Sequence, residues 1–218
     1  MANKKRNNDL RQASQRKSKE KQYETATKHM FIYPIIAVVI SVIILLLFFT
    51  VFADIYERVA QVQETSVSGW AFVRSGFTHL SEGTYISPDL NKIDKYEGLV
   101  EPFYDFATEW CESVAQLSVA TVLIVAIGIV AQVVTFFTRK HLLNALSAVI
   151  SLVSAILLIV IYAKCLDMNN ATIISDYCQN PNCIIRSNVI FPALFAFGGC
   201  AVSGFATFKY FKAKSLLK

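Results

Sequence analysis

The chain has 218 residues, is 54% hydrophobic and carries a formal net charge of +5, a composition too apolar for an ordinary soluble domain. Four long apolar runs place it instead among all-α integral membrane proteins with four transmembrane helices. A helix rises ~1.5 Å per residue and needs about 20 apolar residues to cross a hydrocarbon core of ~30 Å. No phosphate loop, metal motif or nucleophile–base constellation is present in the sequence, so neither an enzyme nor a cofactor-dependent protein is indicated.

Residues 1–29 hold nine of the 21 Lys and Arg residues and read as a basic leader without regular structure. No aromatic or glycine-rich pattern is interleaved with the charges, which argues against nucleic acid as a partner. Anionic lipid headgroups are the expected contact, at ~1 kcal/mol per basic residue held near the surface. Residues 30–53, MFIYPIIAVVISVIILLLFFTVFA, form a charge-free first span. That run is much longer than the ~7–15-residue core of a cleaved signal and is read as an uncleaved anchor.

Residues 54–112 are expected to fold as a small helical extracytoplasmic module between helices 1 and 2. Ile55, Val59 and Val62 fall at helical spacing, so span one is expected to continue as helix until Ser68-Gly69 interrupts it. Trp70, Val73, Phe77 and Leu80 then recur at i, i+3, i+7 and i+10, an amphipathic helix pattern. GTYISPDLNKIDKYEGL marks turns. In EPFYDFATEWCE, Pro102 suits a first helical position, after which Phe103, Phe106 and Trp110 share one face and Glu101, Asp105, Glu109 and Glu112 the other. Continued through span two to Thr138, this helix would measure about 55 Å. Trp70, Phe77, Phe103, Phe106 and Trp110 are thus candidates for an outer core or a partner surface, with Asp105 and Glu109 on the solvated side. A calcium ion needs six to eight converging oxygens, roughly, which one helix face does not supply.

The remaining segments are span two at 113–138, a cytoplasmic turn at 139–141, span three at 142–163, an outer loop at 164–188, span four at 189–208 and a basic tail at 209–218. Asn144, Ser147, Ser151 and Ser154 lie along one stripe of span three. Span four places Ala196, Cys200 and Gly204 four apart, with Gly199, Ser203 and Thr207 beside them. Small faces let helix backbones approach, and polar side chains bridge them at ~0.6 kcal/mol each. Packing within the chain is the expected use of these stripes, and a homo-oligomer through span four the alternative. Four of the five cysteines, Cys111, Cys165, Cys178 and Cys183, fall outside the membrane on one side. They read as a disulfide framework with three possible pairings: Cys178–Cys183 closing the QNPN turn with Cys111–Cys165 joining spans two and three is the preferred one, and the two crossed pairings would tie the second outer loop over the first. Asn170-Ala171-Thr172 is a glycosylation sequon on the same side.

Orientation follows from charge. Fifteen of the 21 Lys and Arg residues lie in the leader, the 139–141 turn and the tail, which makes that side, with both termini, cytoplasmic in a plasma or cell membrane. No span has a Lys, Arg, Asp, Glu or His in its central turns, which argues against proton relays, voltage sensing and ion-coupled transport. The expected function is an accessory, assembly or adhesion-type subunit that engages an unidentified membrane or extracytoplasmic protein through the first outer loop. The alternative is a pore or channel subunit whose span-three stripe lines a path after oligomerisation. With cytoplasmic ends and a larger first outer loop, the topology resembles claudin-like four-span proteins. Their first loop forms strands and carries a Trp–Gly-Leu-Trp motif followed by two cysteines, whereas this loop has Trp70 outside any such motif, reaches one cysteine at Cys111 and reads as helical.

Overall fold

The structure is a computed structural model that describes residues 2–57, 63–82, 101–167 and 183–215, with side-chain packing given for 15–50, 52, 68–78, 80, 112–166 and 187–215. In chain order the elements are α1 (Ala2–Thr27), α2 (Ile32–Leu47), β1 (Val51–Glu57), β2 (Gln63–Ser68), α3 (Gly69–Glu82), α4 (Glu101–Thr138), α5 (Leu143–Asp167), β3 (Cys183–Arg186) and α6 (Ile190–Ser215). Helix dominates, and four helical segments, Gln15–Leu47, Glu112–Thr138, Leu143–Leu166 and Ile190–Ser215, are long and apolar enough to cross a membrane.

Four helices close a ring in the order α2, α4, α5, α6, each packing on the next and α6 returning to α2. The bundle's outer surface carries large apolar side chains, among them Leu46, Ile127, Val130, Val149, Leu194 and Phe208, while several buried positions are polar. That inverts the pattern of a soluble bundle and suits a lipid surround, where helices associate through close packing and interhelical hydrogen bonds. The three prolines of the bundle helices, Pro34, Pro102 and Pro192, sit in the first turns of α2, α4 and α6, where no intrahelical N–H bond is lost. Between α4 and α5 the chain reverses within residues 139–142, with Arg139 in the left-handed region at φ 54° and its N–H donating to the Thr135 carbonyl at 2.9 Å.

The leader and the first loop depart from expectation. Residues 2–27, read as a leader without regular structure, form helix α1; their many Lys, Arg, Gln, Glu and Ala residues favour helix and no Gly or Pro interrupts them. The helix of span one does not run through Ala53 and on to residue 64. It ends at Leu47, with Phe48 as its C-cap, and the chain enters a three-stranded antiparallel sheet of order β2-β1-β3. Asp54 and Ile55 of the central strand pair with Ser66 and Thr65 on one side and with Arg186 and Ile185 on the other. The helical spacing of Ile55, Val59 and Val62 is outweighed by β-branched and aromatic residues at Val51, Phe52, Ile55, Tyr56, Thr65 and Val67. The partner strand β3 arrives from the loop between α5 and α6.

Helix α3 is anchored at its start. Ser68 caps it, its Oγ accepting the Ala71 N–H at 3.2 Å, the usual role of an N-cap serine. The Gly69 and Trp70 N–H groups donate to the carbonyls of Thr50 and Phe48 at 3.2 and 2.7 Å. Unpaired donors at the start of α3 are thereby matched to unpaired acceptors after the end of α2. The close approach requires glycine: a Cβ on Gly69 would lie 2.5 Å from the Phe52 ring. Phe48, Phe52, Phe72, Val114, Leu158 and Ile161 are buried in the core cluster that joins the bundle to this cap.

Candidate functional site

Two places gather chemistry: the outer face of α3 and the polar interior of the bundle. On α3, Phe72, Val73, Ser75 and Gly76 are buried, and the helix packs on α4. At Gly76 the approach is tightest, since a Cβ there would lie 2.7 Å from Val119 Cγ2 and 2.9 Å from the Ala115 carbonyl oxygen. The amphipathic pattern identified the helix but only part of its buried face: Val73 is buried, whereas Trp70, Phe77 and Leu80 are 44%, 43% and 70% exposed. Of the two roles open to Trp70 and Phe77, outer core or partner surface, the structure leaves them exposed. Trp70 stacks on Phe49, itself 64% exposed, with ring centroids 5.6 Å apart. Arg74 is exposed beside them.

Phe103, Phe106, Trp110, Asp105 and Glu109 lie on the first turns of α4; their side chains fall outside the described residues. The same holds for Cys111 on α4, Cys178, and Cys183 at the start of β3. Cys165 is a free, fully buried thiol at the end of α5. The expected bridge from Cys165 to Cys111 is therefore not formed; Cys165 belongs instead to the buried apolar cluster that also holds Val189 and Ala193. Among the described residues no group of three or more His, Cys, Asp or Glu is placed to hold a metal ion.

In the bundle, the span-three stripe turns inward. Asn144, Ser147 and Ser154 are buried and Ser151 partly so. Facing them on α6 are Ala196, Gly199 and Ser203, all buried; a Cβ on Gly199 would lie 3.3 Å from Ser151 Oγ and 3.4 Å from Ile40 Cγ2. Cys200 and Gly204, expected to share the packed stripe, do not. Cys200 is a partly exposed free thiol and nothing lies within 4 Å of a Cβ placed on Gly204. The interior face of α6 follows Ala193, Ala196, Gly199, Ser203 and Ala206, a helical repeat set by the ring geometry.

Sequence reasoning passed over one residue of this interior. Gln132 of α4 is 2% exposed, and its Nε2 donates across the ring to Ser203 Oγ at 3.1 Å. The signal was an amide side chain, one of two with Gln116, in an apolar span; the partner, on the opposite helix of the ring, was not readable. At the end carrying the α4–α5 turn, Lys209 donates from Nζ to Tyr33 Oη at 2.7 Å and lies 4.9 Å from the Phe205 ring centroid, tying α6 to α2. His141 stacks near Tyr210 at 5.7 Å; burial, and then the charge of Arg139, hold its pKa below the ordinary 6.5.

Comparison with protein-family models, with curated proteins and with solved structures gave no match in any of the three.

Proposed function

We propose that the chain is an integral four-span membrane protein without catalytic chemistry. In this reading it acts as an accessory, assembly or adhesion-type subunit and engages a membrane or extracytoplasmic protein through the cap built by α3 and the sheet. The observation that carries the reading is the exposed row Trp70, Phe77 and Leu80 on a helix that is otherwise firmly docked. Exposed aromatics held on a rigid support, with an arginine among them, have the composition of binding hot spots. The charge asymmetry supports an outward-facing cap, with both termini cytoplasmic. The pore reading would need the Ser147–Ser151–Ser154 stripe at an interface between subunits, and that stripe is taken up by packing inside the chain's own ring.

The test is photocrosslinking in native membranes from probes at Phe77 and Leu80, with Ile127, 59% exposed on the bundle surface, as the lipid-facing control. Discrete protein adducts from positions 77 and 80, and only lipid adducts from 127, are expected. Lipid adducts alone from all three positions would overturn the reading.

A further inference from the structure

Unsatisfied polar chemistry is concentrated between α2, α4 and α5, in the half of the bundle nearer the α4–α5 turn. A void of about 10 Å³ there is lined by Ser41 of α2, Gly128 and Gln132 of α4, and Ser147, Ser151 and Ser154 of α5. Its volume is close to the smallest that accepts a water molecule, ~10–15 Å³. Two of the lining side chains, Gln132 and Ser147, are each 2% exposed, and Gln132 Oε1 and Ser147 Oγ are buried without a hydrogen-bond partner. Gln132 has already committed its Nε2 to Ser203, so its carbonyl oxygen is the amide's unpartnered atom; turning the amide over would leave the nitrogen unpartnered instead. Ser154 spends its hydroxyl proton on the Ile150 carbonyl at 3.0 Å and keeps lone pairs to accept with. Apolar voids of this kind stay dry, but polar groups buried without partners are rare because each bears the full cost of lost hydration.

We infer that this void is a binding site for one water molecule, which accepts from the Ser147 hydroxyl and donates to Gln132 Oε1, its second proton directed at the neighbouring serine oxygens. The chain Ser203–Gln132–water–Ser147 then joins α6, α4 and α5 through hydrogen bonds alone. A monovalent cation would find oxygens here but no countercharge, since none of the lining residues is ionisable. An uncompensated ion in a low-dielectric interior is far costlier than a neutral dipole. A water satisfies the same atoms at a small entropic cost.

The full-length protein in lipid nanodiscs provides the test. Ser147→Ala removes the donor to the water and strands Gln132 Oε1, so the melting midpoint is expected to fall, by about 2–4 °C for a chain of this size. An unchanged or raised midpoint would mean that the hydroxyl was never satisfied and would overturn the site. Replacing choline chloride with sodium chloride is expected to leave the wild-type midpoint unmoved. A sodium-dependent rise that Ser147→Ala abolishes would assign the site to a cation and overturn the water. On unmodified protein, water-edited solid-state NMR is expected to transfer magnetisation from bound water to the Gln132 side-chain amide; no transfer above that of the surrounding apolar residues would contradict the proposal whatever the variant does.

Discussion

Single methyl groups separate the glycines that build this fold from those that do not. Gly76 lets α3 lie against α4, and the atoms a Cβ would strike include the Ala115 carbonyl, which belongs to a helix backbone and does not move aside. Gly76→Ala is therefore expected to destabilise the protein by about 1–3 kcal/mol, as overpacked contacts do. Gly204→Ala, with open space around it, should be neutral or stabilising by up to ~1 kcal/mol through helix propensity. Thermal unfolding of the two variants side by side checks both. His141 offers a second residue-level prediction. Its Nδ1 is buried without a partner, and its pKa lies below 6.5, chiefly from burial, so the folded chain takes up a proton less readily than the unfolded chain. The stability involved is complete above pH 6.5 and is lost as pH falls through the lower folded value. The melting midpoint should drop on acidification below pH 6.5, and His141→Phe, which retains a ring beside Tyr210, should flatten that dependence. The small residues of α5 and α6 were legible as packing surface from their spacing alone, yet which of two neighbouring stripes on α6 faces inward was not. Cys200 and Gly204 share a period with Ala196 and are as small as Gly199 and Ser203; only the positions of α5 and α2 select the second pair.

Elements were readable in proportion to how local their causes are. The three apolar runs of α4, α5 and α6 carry their own signal over many turns. Helix α3 announced itself by periodicity, although its outward aromatics show that beside a bundle with an apolar exterior the apolar face of a helix is not always its buried one. The sheet could not be read. Its central strand derives its partners from Ser66 and Thr65 nearby but also from Ile185 and Arg186, a pairing between two separate loops, and short apolar runs are ambiguous between strand and helix. Gln132 and Ser203 show the same limit within the bundle, since each was visible as polar but not as a pair. Their hydrogen bond crosses the ring between opposite helices, so a double-mutant cycle of Gln132→Leu and Ser203→Ala should give a coupling of about 0.6 kcal/mol and no more than about 1.7. Zero coupling would mean that the bond adds nothing to helix association.

For the whole molecule, the fold separates two ends of different character. One carries the sheet, α3 and the aromatic row; the other carries the α4–α5 turn with Arg139 and Lys140, and Lys209 of α6 bonded to Tyr33 of α2. The interior between them is apolar with several buried Ser, Thr, Asn and Gln side chains among it, and the exterior is apolar as well, which a bilayer rewards and water does not. The four long apolar helices could be read from the sequence because span length is summed over many residues; function is less legible because a docking surface depends on three or four exposed side chains whose direction only packing decides. The central claim is that the chain crosses the membrane four times with the cap outside and both termini inside. Its most direct test is antibody labelling of an epitope inserted in the 83–100 segment and of tags at both ends. The epitope should be labelled on intact cells and the two tags only after permeabilisation; a terminal tag labelled on intact cells, or an epitope that needs permeabilisation, would contradict the account.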